Sequence, residues 1–170
     1  MSFMKLAAER YSVRKFSSRS VEPEKLATVL EAARLAPTAA NKQPQRIFVL
    51  QSEAALAAVR ESTKFHFSTP VVLLICYDKE KSWQNPFTGR FSGEVDAAIV
   101  TTHMMLAAAD LGLGTTWVGY FQPEPLVKFC QLPAGVIPVA MLPLGYPAAD
   151  ASPSPMHSSR EPLAATVKYL

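Results

Sequence analysis

The hydrophobic positions of this chain follow two different periods. Apolar residues recur at helical spacing in five segments, which predicts helices over residues 3–9, 23–36, 54–62, 94–111 and 123–130. Short apolar runs predict strands over residues 46–50, 71–76, 115–118 and 137–142, and residues 162–169 predict a short helix or an arm. The run at 71–76 is apolar throughout, as is typical of a central strand. Helices that alternate with strands predict an α+β fold with a central mixed β-sheet flanked by helices.

Length and composition indicate how many domains the chain forms and how much apolar surface it has to bury. The 170 residues are 49% hydrophobic and 18% charged, which is typical of one globular domain that is somewhat apolar for its size. We therefore expect a single domain over residues 1–170, with residues 151–170 as an extended C-terminal arm. The apolar excess has two explanations, a large subunit interface or a compact buried core.

Charge, hydropathy and cysteine usage argue against several classes of protein. The net charge of +3 comes without a basic run, so we expect no nucleic-acid partner. The longest apolar runs have the length of a strand, not of a bilayer span, so we expect no membrane partner. The first residues carry Lys5, Glu9 and Arg10 in place of a signal-peptide core. Cys76 and Cys130 form no C-x-x-C motif, which favours the reducing cytoplasm.

The segment Arg10-Tyr11-Ser12-Val13-Arg14 is the first candidate for binding chemistry. In an extended conformation Arg10, Ser12 and Arg14 point the same way. Two guanidinium groups and a hydroxyl suit a phosphate or the edge of a carbonyl-rich ring. The alternative interpretation is a solvated basic turn that closes a helix.

A second candidate is the turn Ala36-Pro37-Thr38-Ala39-Ala40-Asn41-Lys42-Gln43-Pro44. Its small residues allow a flat ligand to approach the backbone, and its amides can bind ring heteroatoms. The same sequence also suits an ordinary helix stop and turn. Taken together, the two segments predict a site for a planar cofactor that carries a phosphate.

Three further segments follow in order: Gly112-Leu113-Gly114-Thr115-Thr116-Trp117-Val118-Gly119, Leu144-Gly145-Tyr146-Pro147 and Ser159-Arg160-Glu161-Pro162-Leu163. With these five motifs the chain resembles the nitroreductase family of FMN-dependent oxidoreductases along nearly its whole length. The resemblance implies the nitroreductase fold as an interlocked homodimer with two FMN sites at the interface. One departure is Gln45, where many members of the family have Trp.

The resemblance also implies roles for individual residues. The first segment and Arg160 hold the phosphate and the pyrimidine edge of the ring, and the turn lines the flavin of the other subunit. Lys64 lies near flavin N1 and O2, and Gly119 brings backbone close to N5. Each role has an alternative without function: Lys64 as a surface lysine, Arg160 as a solvated charge, and residues 117–119 as an ordinary strand end. The implied FMN-binding residues are Arg10, Tyr11, Ser12, Arg14, Pro37, Thr38, Ala39, Asn41, Gln43, Lys64, Trp117, Val118, Gly119 and Arg160.

Other chemistries find no support in the residues. His66 and His157 have no partners at metal-ligand spacing, so we expect no metal. His103 lies among apolar helical residues and is interpreted as structural. The glycines at 112 and 114 lack a preceding strand and a third glycine, so they do not form a dinucleotide fingerprint. No serine lies in a G-x-S-x-G context, so hydrolase chemistry is unsupported.

The predicted function is FMN-dependent reduction of nitroaromatics, quinones or similar electron-poor acceptors by NADH or NADPH, in a ping-pong mechanism. No side chain is named as catalytic, because the flavin carries the chemistry. The polar and aromatic loop at 79–93 is interpreted as a possible lid through Trp83, Phe87 and Phe91. Two alternatives stay open: the same fold with other flavin chemistry (dehalogenation, dehydrogenation or flavin fragmentation), and an FMN-binding or sensing module without turnover.

Overall fold

A four-stranded sheet forms the centre of the computed structural model, which describes residues 2–170. The strand order is β1-β2-β4-β3. The strands are β1 (Gln45–Leu50), β2 (Val71–Asp78), β3 (Gly114–Thr115) and β4 (Val136–Gly145). The helices are α1 (Phe3–Glu9), α2 (Pro23–Leu35), α3 (Glu53–Ser62), α4 (Gly93–Asp110), α5 (Glu124–Cys130) and α6 (Leu163–Thr166).

Strand β2 is covered on both faces, as its continuous apolar sequence predicts. Side chains alternate along a strand, so its residues divide between two cores. Leu73 and Ile75 belong to the core that α2 and α4 cover, whereas Leu74 and Cys76 belong to the core that α3 and α5 cover. The fold therefore has three layers, with helices on both sides of the sheet.

Local chemistry explains where the helices begin. Pro23 lies at the first position of α2, where its missing N–H costs nothing. The hydroxyl of Ser52 accepts a hydrogen bond from the Ala55 N–H at 3.2 Å and caps α3. Helix α4 buries Val100 and other residues against the sheet and keeps apolar residues on its other sides, as predicted.

The edge of the sheet at β3 is shorter than the sequence predicts. Residues 115–118 were expected to form a strand, but β3 ends at Thr115 and pairing resumes only at the Val118–Met141 bridge. In that register Thr116 faces Pro143, which has no N–H to donate to the ladder. The missing donor interrupts the edge strand at Thr116, so residues 116–119 are joined to β4 only at Val118.

The α+β class with a central sheet between helices is confirmed. All three strand ladders are antiparallel, so the mixed character expected for the sheet is confined, within residues 2–170, to the isolated parallel bridge between Ser12 and Thr115. Over the same residues, no helix combines the length and the apolar character needed to cross a bilayer.

Candidate active site

The segment Arg10–Arg14 runs in an extended conformation beside β3. Val13 donates its N–H to the carbonyl of Thr115 at 3.0 Å, next to the Ser12–Thr115 bridge. The Val13 side chain is buried against Gly114, where a Cβ would lie 2.5 Å from Val13 Cγ2. Because side chains alternate along an extended segment, burial of Val13 turns its two neighbours to the opposite side.

On that side lies a cavity of about 310 Å³, which we call the basic cavity. It brings together the predicted residues of both chain ends, and no residue that lines it is acidic. The rings of Tyr11 and His157 meet edge-on there, with 6.2 Å between their centroids. The lining residues are Arg10, Tyr11, Ser12, Arg14, Ser154, Met156, His157 and Arg160.

The basic cavity has an uncompensated positive charge. Burial, together with the nearby charge of Arg160, lowers the pKa of Arg10. Atom Nη1 of Arg10 is buried and has no hydrogen-bond partner in the described part of the chain. An unpaired buried donor on a cation is costly, and a second guanidinium beside it adds repulsion. An anion with several acceptor oxygens relieves both costs, so these residues fit a phosphate.

Residues 116–119 continue the site from β3. Val118 exchanges two backbone hydrogen bonds of 2.9 Å with Met141 and is buried. Trp117 and Gly119, on either side of it, face outwards. The segment is thus fixed to the sheet at one residue and presents a large ring and an uncovered stretch of backbone to solvent.

A second cavity of about 200 Å³, the aromatic cavity, is lined by the 116–119 segment and shares Arg14 with the basic cavity. Phe65, Phe67 and Tyr120 also line it. The rings of Phe65 and Tyr120 pack edge-to-face with centroids 5.6 Å apart. Such rings give a planar ligand an apolar surface on which to stack.

Lys64 lies in a third cavity, of about 600 Å³, which meets the aromatic cavity at Gly119 and Tyr120. Its Nζ is 5.3 Å from the centroid of the Phe65 ring. Lys64 therefore lines a cavity that adjoins the aromatic cavity, which in turn shares Arg14 with the basic cavity.

The turn Thr38–Gln43 lies elsewhere, and no residue of it lines these three cavities. The N–H of Ala39 donates to Asp96 Oδ1 at 2.8 Å, and the N–H of Gln43 donates to Thr38 Oγ1 at 3.0 Å. Just beyond the turn, Oε1 of Gln45 is buried and has no hydrogen-bond partner within residues 2–170.

The two groups of predicted residues lie at opposite edges of the sheet. The turn precedes β1 at one edge, whereas Arg10–Arg14 borders β3 at the other. Three strand spacings separate these edges, which is roughly 14 Å. They also lie at opposite ends of β2. Gln45, next to the turn, pairs with Tyr77 near the end of β2. Thr115, next to the Arg10–Arg14 segment, pairs with Leu144, which in turn pairs with Val71 at the start of β2. One copy of the chain does not bring the two groups together.

Two expectations about other chemistry concern histidines and metals. His103 is hydrogen-bonded through Nδ1 to the carbonyl of Ile99 at 2.9 Å, one turn earlier in its own helix, in agreement with a structural role. Within the part of the chain that the structure describes, no group of three or more potential metal ligands comes together.

Comparison with known proteins gives the family. The sequence profile of the nitroreductase family matches residues 7–69 and 60–146. The chain belongs to the nitroreductase family.

Solved nitroreductase structures share this fold. A nitroreductase family protein from Clostridium difficile 630 is 40% identical, with a TM-score of 0.92 over 99% of this chain and 98% of the other. A candidate nitroreductase from Desulfovibrio desulfuricans, solved in complex with FMN, is 28% identical, with a TM-score of 0.80 over 98% and 95% of the two chains. A candidate NADH dehydrogenase/NAD(P)H nitroreductase from Methanothermobacter thermautotrophicus is 29% identical over 87% of this chain and 78% of its own length.

Sequence reasoning missed part of this candidate site. Phe65, Phe67, Tyr120 and His157 all line its cavities but were not predicted to do so. The only local signal was the alternation in Phe65-His66-Phe67, which places two rings on one side just before β2. Their approach to Arg14 and Tyr11 depends on tertiary contacts that a linear pattern does not contain.

Proposed function

We propose that this protein reduces electron-poor acceptors such as nitroaromatics and quinones. It is an FMN-dependent oxidoreductase that takes its electrons from NADH or NADPH. The strongest support is the buried, unpartnered Nη1 of Arg10 beside Arg160, next to a cavity lined with aromatic rings. A receptor for phosphate joined to a surface for a planar ring matches FMN, which the related D. desulfuricans protein binds.

The basic cavity holds the phosphate of FMN in this proposal. Arg10 and Arg160 donate charge-assisted hydrogen bonds to its oxygens, and the Ser12 hydroxyl and Tyr11 complete the contact. Each charged hydrogen bond contributes roughly 1.5–3 kcal/mol net. Arg14, shared by the basic and aromatic cavities, contacts the polar edge of the ring.

The segment Trp117–Gly119 supports the reactive part of the ring. Gly119 has no side chain to hold a flat ligand away from the backbone. Lys64, at the next cavity, stabilises negative charge that develops on the ring during reduction. The aromatic residues of this region give the ring and the bound donor or acceptor an apolar surface to contact.

FMN held by these residues would supply the redox chemistry, which is hydride uptake from NAD(P)H and reduction of the acceptor. Donor and acceptor use the same face of the ring, so the donor leaves before the acceptor enters, which gives ping-pong kinetics. No side chain of this chain is assigned as acid or base, because positioning and electrostatics suffice for this chemistry.

Two copies of the chain complete each site. Pro37, Thr38, Ala39, Asn41 and Gln43 of one copy reach the cofactor held by the other, since they lie at the far edge of their own sheet. Residues 151–170, nearly all exposed, extend the single domain as an arm onto the second copy. The free cysteines are in line with a cytoplasmic location.

The visible absorption spectrum of the purified protein tests this function. We expect flavin peaks that bleach on anaerobic addition of NADH or NADPH and return when a quinone is added. A flavin spectrum that neither donor bleaches contradicts the oxidoreductase and favours a binding module. A protein that stays colourless after addition of FMN contradicts the cofactor itself.

A further inference from the structure

Asp96 connects two segments that are distant in sequence. It lies in the first turn of α4 and its side chain is 1% exposed. Atom Oδ1 accepts the hydrogen bond from Ala39 N–H at 2.8 Å, and Oδ2 accepts one from Ser92 Oγ at 2.7 Å. One buried carboxylate therefore holds both the turn Thr38–Gln43 and the base of the loop before α4.

The turn has a strained backbone that needs such a restraint. Ala40, Asn41 and Gln43 have φ values of 50°, 52° and 49°, in the left-handed region that most residues other than glycine and asparagine avoid. All three are exposed, so packing of their side chains does not explain the conformation. Strain of this kind persists where surrounding contacts fix it, and it clusters at functional sites.

The loop before α4 is an ordered hairpin over residues 83–92. Gln84 pairs with Phe91, and Ser92 N–H donates to the Trp83 carbonyl at 2.9 Å. Phe87 stands at the tip with 94% of its surface exposed. The ordered hairpin therefore leaves the Phe87 ring available for contact with a second copy.

The hairpin does not cover the cavities of its own copy. Trp83, Phe87 and Phe91 line none of the three cavities of the candidate site. The hairpin begins and ends beside Tyr77 at the last residues of β2, since a Cβ on Gly93 would lie 2.0 Å from the Tyr77 ring. It therefore shares the turn's end of the sheet, and any lid role requires a second copy.

We infer that Asp96 is a positioning residue that fixes the turn and the 83–92 hairpin as one unit, which each copy presents to the other copy's site. The turn contacts the cofactor, and the hairpin places Phe87 over the acceptor. This inference rests on the proposed function. Because both carboxylate oxygens are used, loss of Asp96 releases both segments, whereas loss of the Ser92 hydroxyl releases only the hairpin.

The first experiment separates these two segments. Ser92→Ala is expected to raise the KM for 1,4-benzoquinone by about fivefold, with kcat and the Kd for FMN unchanged. Asp96→Ala is expected to raise both the KM and the Kd by about tenfold. Asp96→Asn retains an acceptor for Ala39 and an amide for Ser92, so it restores both constants to near those of the wild type. Glu94→Ala, which removes an exposed carboxylate from the same helical turn, is the matched control.

Hydrogen exchange of the FMN-free protein measures the mobility of the two segments directly. Asp96→Ala should accelerate exchange over residues 39–43 and 84–91, and Ser92→Ala only over 84–91. Unchanged exchange in both segments of Asp96→Ala overturns the inference, as does a Kd and KM equal to those of the wild type. If the wild-type protein binds no FMN, the proposed function is refuted instead. Hydrogen exchange then still shows whether Asp96 couples the turn to the hairpin.

A mixed dimer tests delivery between copies. When an Arg10→Ala chain pairs with an Asp96→Ala chain, delivery in trans places both defects in one site and leaves the other intact. We then expect about half an equivalent of FMN per chain to bind with wild-type affinity. A mixed dimer in which no site keeps that affinity overturns delivery in trans, as does a protein that remains monomeric.

Discussion

The two edges of the sheet carry opposite kinds of surface. At the β3 edge, cationic donors face an open cavity and one of them has no partner. At the β1 edge, the turn Thr38–Gln43 is strained, but its backbone is held by Asp96 and Thr38. The first surface gains stability from a ligand, whereas the second is already in place before any ligand arrives.

This difference shows how a small protein can divide a binding site. A receptor with unsatisfied donors binds strongly but is costly to keep empty. An element fixed by internal hydrogen bonds loses little conformational entropy on binding. In the proposed dimer, this placement at opposite edges combines affinity from one copy's surface with preorganisation from the other's.

The largest expected effect comes from removing the unpartnered cation. Arg10→Ala should weaken FMN binding by about 30- to 100-fold, because charge-assisted hydrogen bonds to the phosphate are lost. The FMN-free protein should not lose thermal stability, since a buried unpaired donor is removed. Fluorescence titration with FMN and a melting curve measure the two effects.

Arg34→Ala serves as the control for that variant, because Arg34 is exposed and paired with Glu31. It should leave the Kd unchanged. Riboflavin, which lacks the phosphate, should bind Arg10→Ala and the wild type alike. A variant that loses riboflavin as strongly as FMN would show that Arg10 acts on something other than the phosphate.

The next effect tests how the β3 edge is built. Gly114→Ala should lower the free energy of unfolding by about 2 kcal/mol, because its Cβ overpacks Val13. The same change should weaken FMN binding, since the Arg10–Arg14 segment is displaced from β3. Urea denaturation gives the stability, and adding Val13→Ala should restore part of it.

Gly135→Ala is the comparison for this variant. A Cβ at Gly135 has its nearest neighbour at 3.8 Å, an ordinary contact, so this substitution should be close to neutral. If Gly114→Ala were equally neutral, the packing of Val13 would not position the binding segment.

A smaller effect tests the strained turn. Ala40→Gly should raise the free energy of unfolding by about 0.5 kcal/mol, because glycine relieves the left-handed φ but adds freedom to the unfolded chain. Ala27→Gly, in the exposed interior of α2, should instead lower it by about 1 kcal/mol. If the same substitution stabilises the protein at position 40 and destabilises it at position 27, the backbone strain lies in the turn. Equal losses of stability at both positions would contradict the strain.

The smallest effect concerns a contact that holds the chain after Arg14. Tyr146 OH donates to Glu22 Oε2 at 2.7 Å, and Arg19 pairs with the same carboxylate. The hydrogen bond from Tyr146, with further contributions that include Arg19, lowers the pKa of Glu22 from 4.5 to about 2. Because folding lowers the pKa of this carboxyl group, its ionised form stabilises the fold at pH values above the pKa that it has in the unfolded chain. This stabilisation is lost as the pH falls towards 2.

Melting temperatures of the wild type and Glu22→Gln should therefore differ slightly at pH 7 and converge between pH 4.5 and 2. The difference stays small because the carboxylate is accessible to solvent. A gap that persists unchanged at pH 2 would mean that the ionised carboxylate is not what stabilises this contact.

The helices were predictable because their ends are marked by local chemistry. Pro23 and Ser52 mark the starts of α2 and α3, and Gly112, with φ of 74°, follows the end of α4. The extent of β3 was not predictable, since Pro143 affects it from a neighbouring strand. Strand β4 runs over Val136–Gly145, beyond the predicted 137–142, because its length is set by the β2 partners.

For the site, the sequence predicted the Arg10–Arg14 face because extended alternation is a local property. It did not predict that His157 would join that face, since this depends on how the last segment crosses the domain. The placement of the turn at the opposite edge depends on strand order, which is likewise set by tertiary structure.

Strand β2 also has a consequence for how the protein is made. One neighbour, β1, precedes it closely in the chain, but Leu73 pairs with Leu142, almost seventy residues later. During synthesis, one edge of the apolar run at 71–76 therefore stays unpaired until β4 emerges from the ribosome. An unpaired apolar strand is a template for aggregation, so yield in a cell depends on how fast residues 77–145 are translated and on chaperones that shield the run meanwhile.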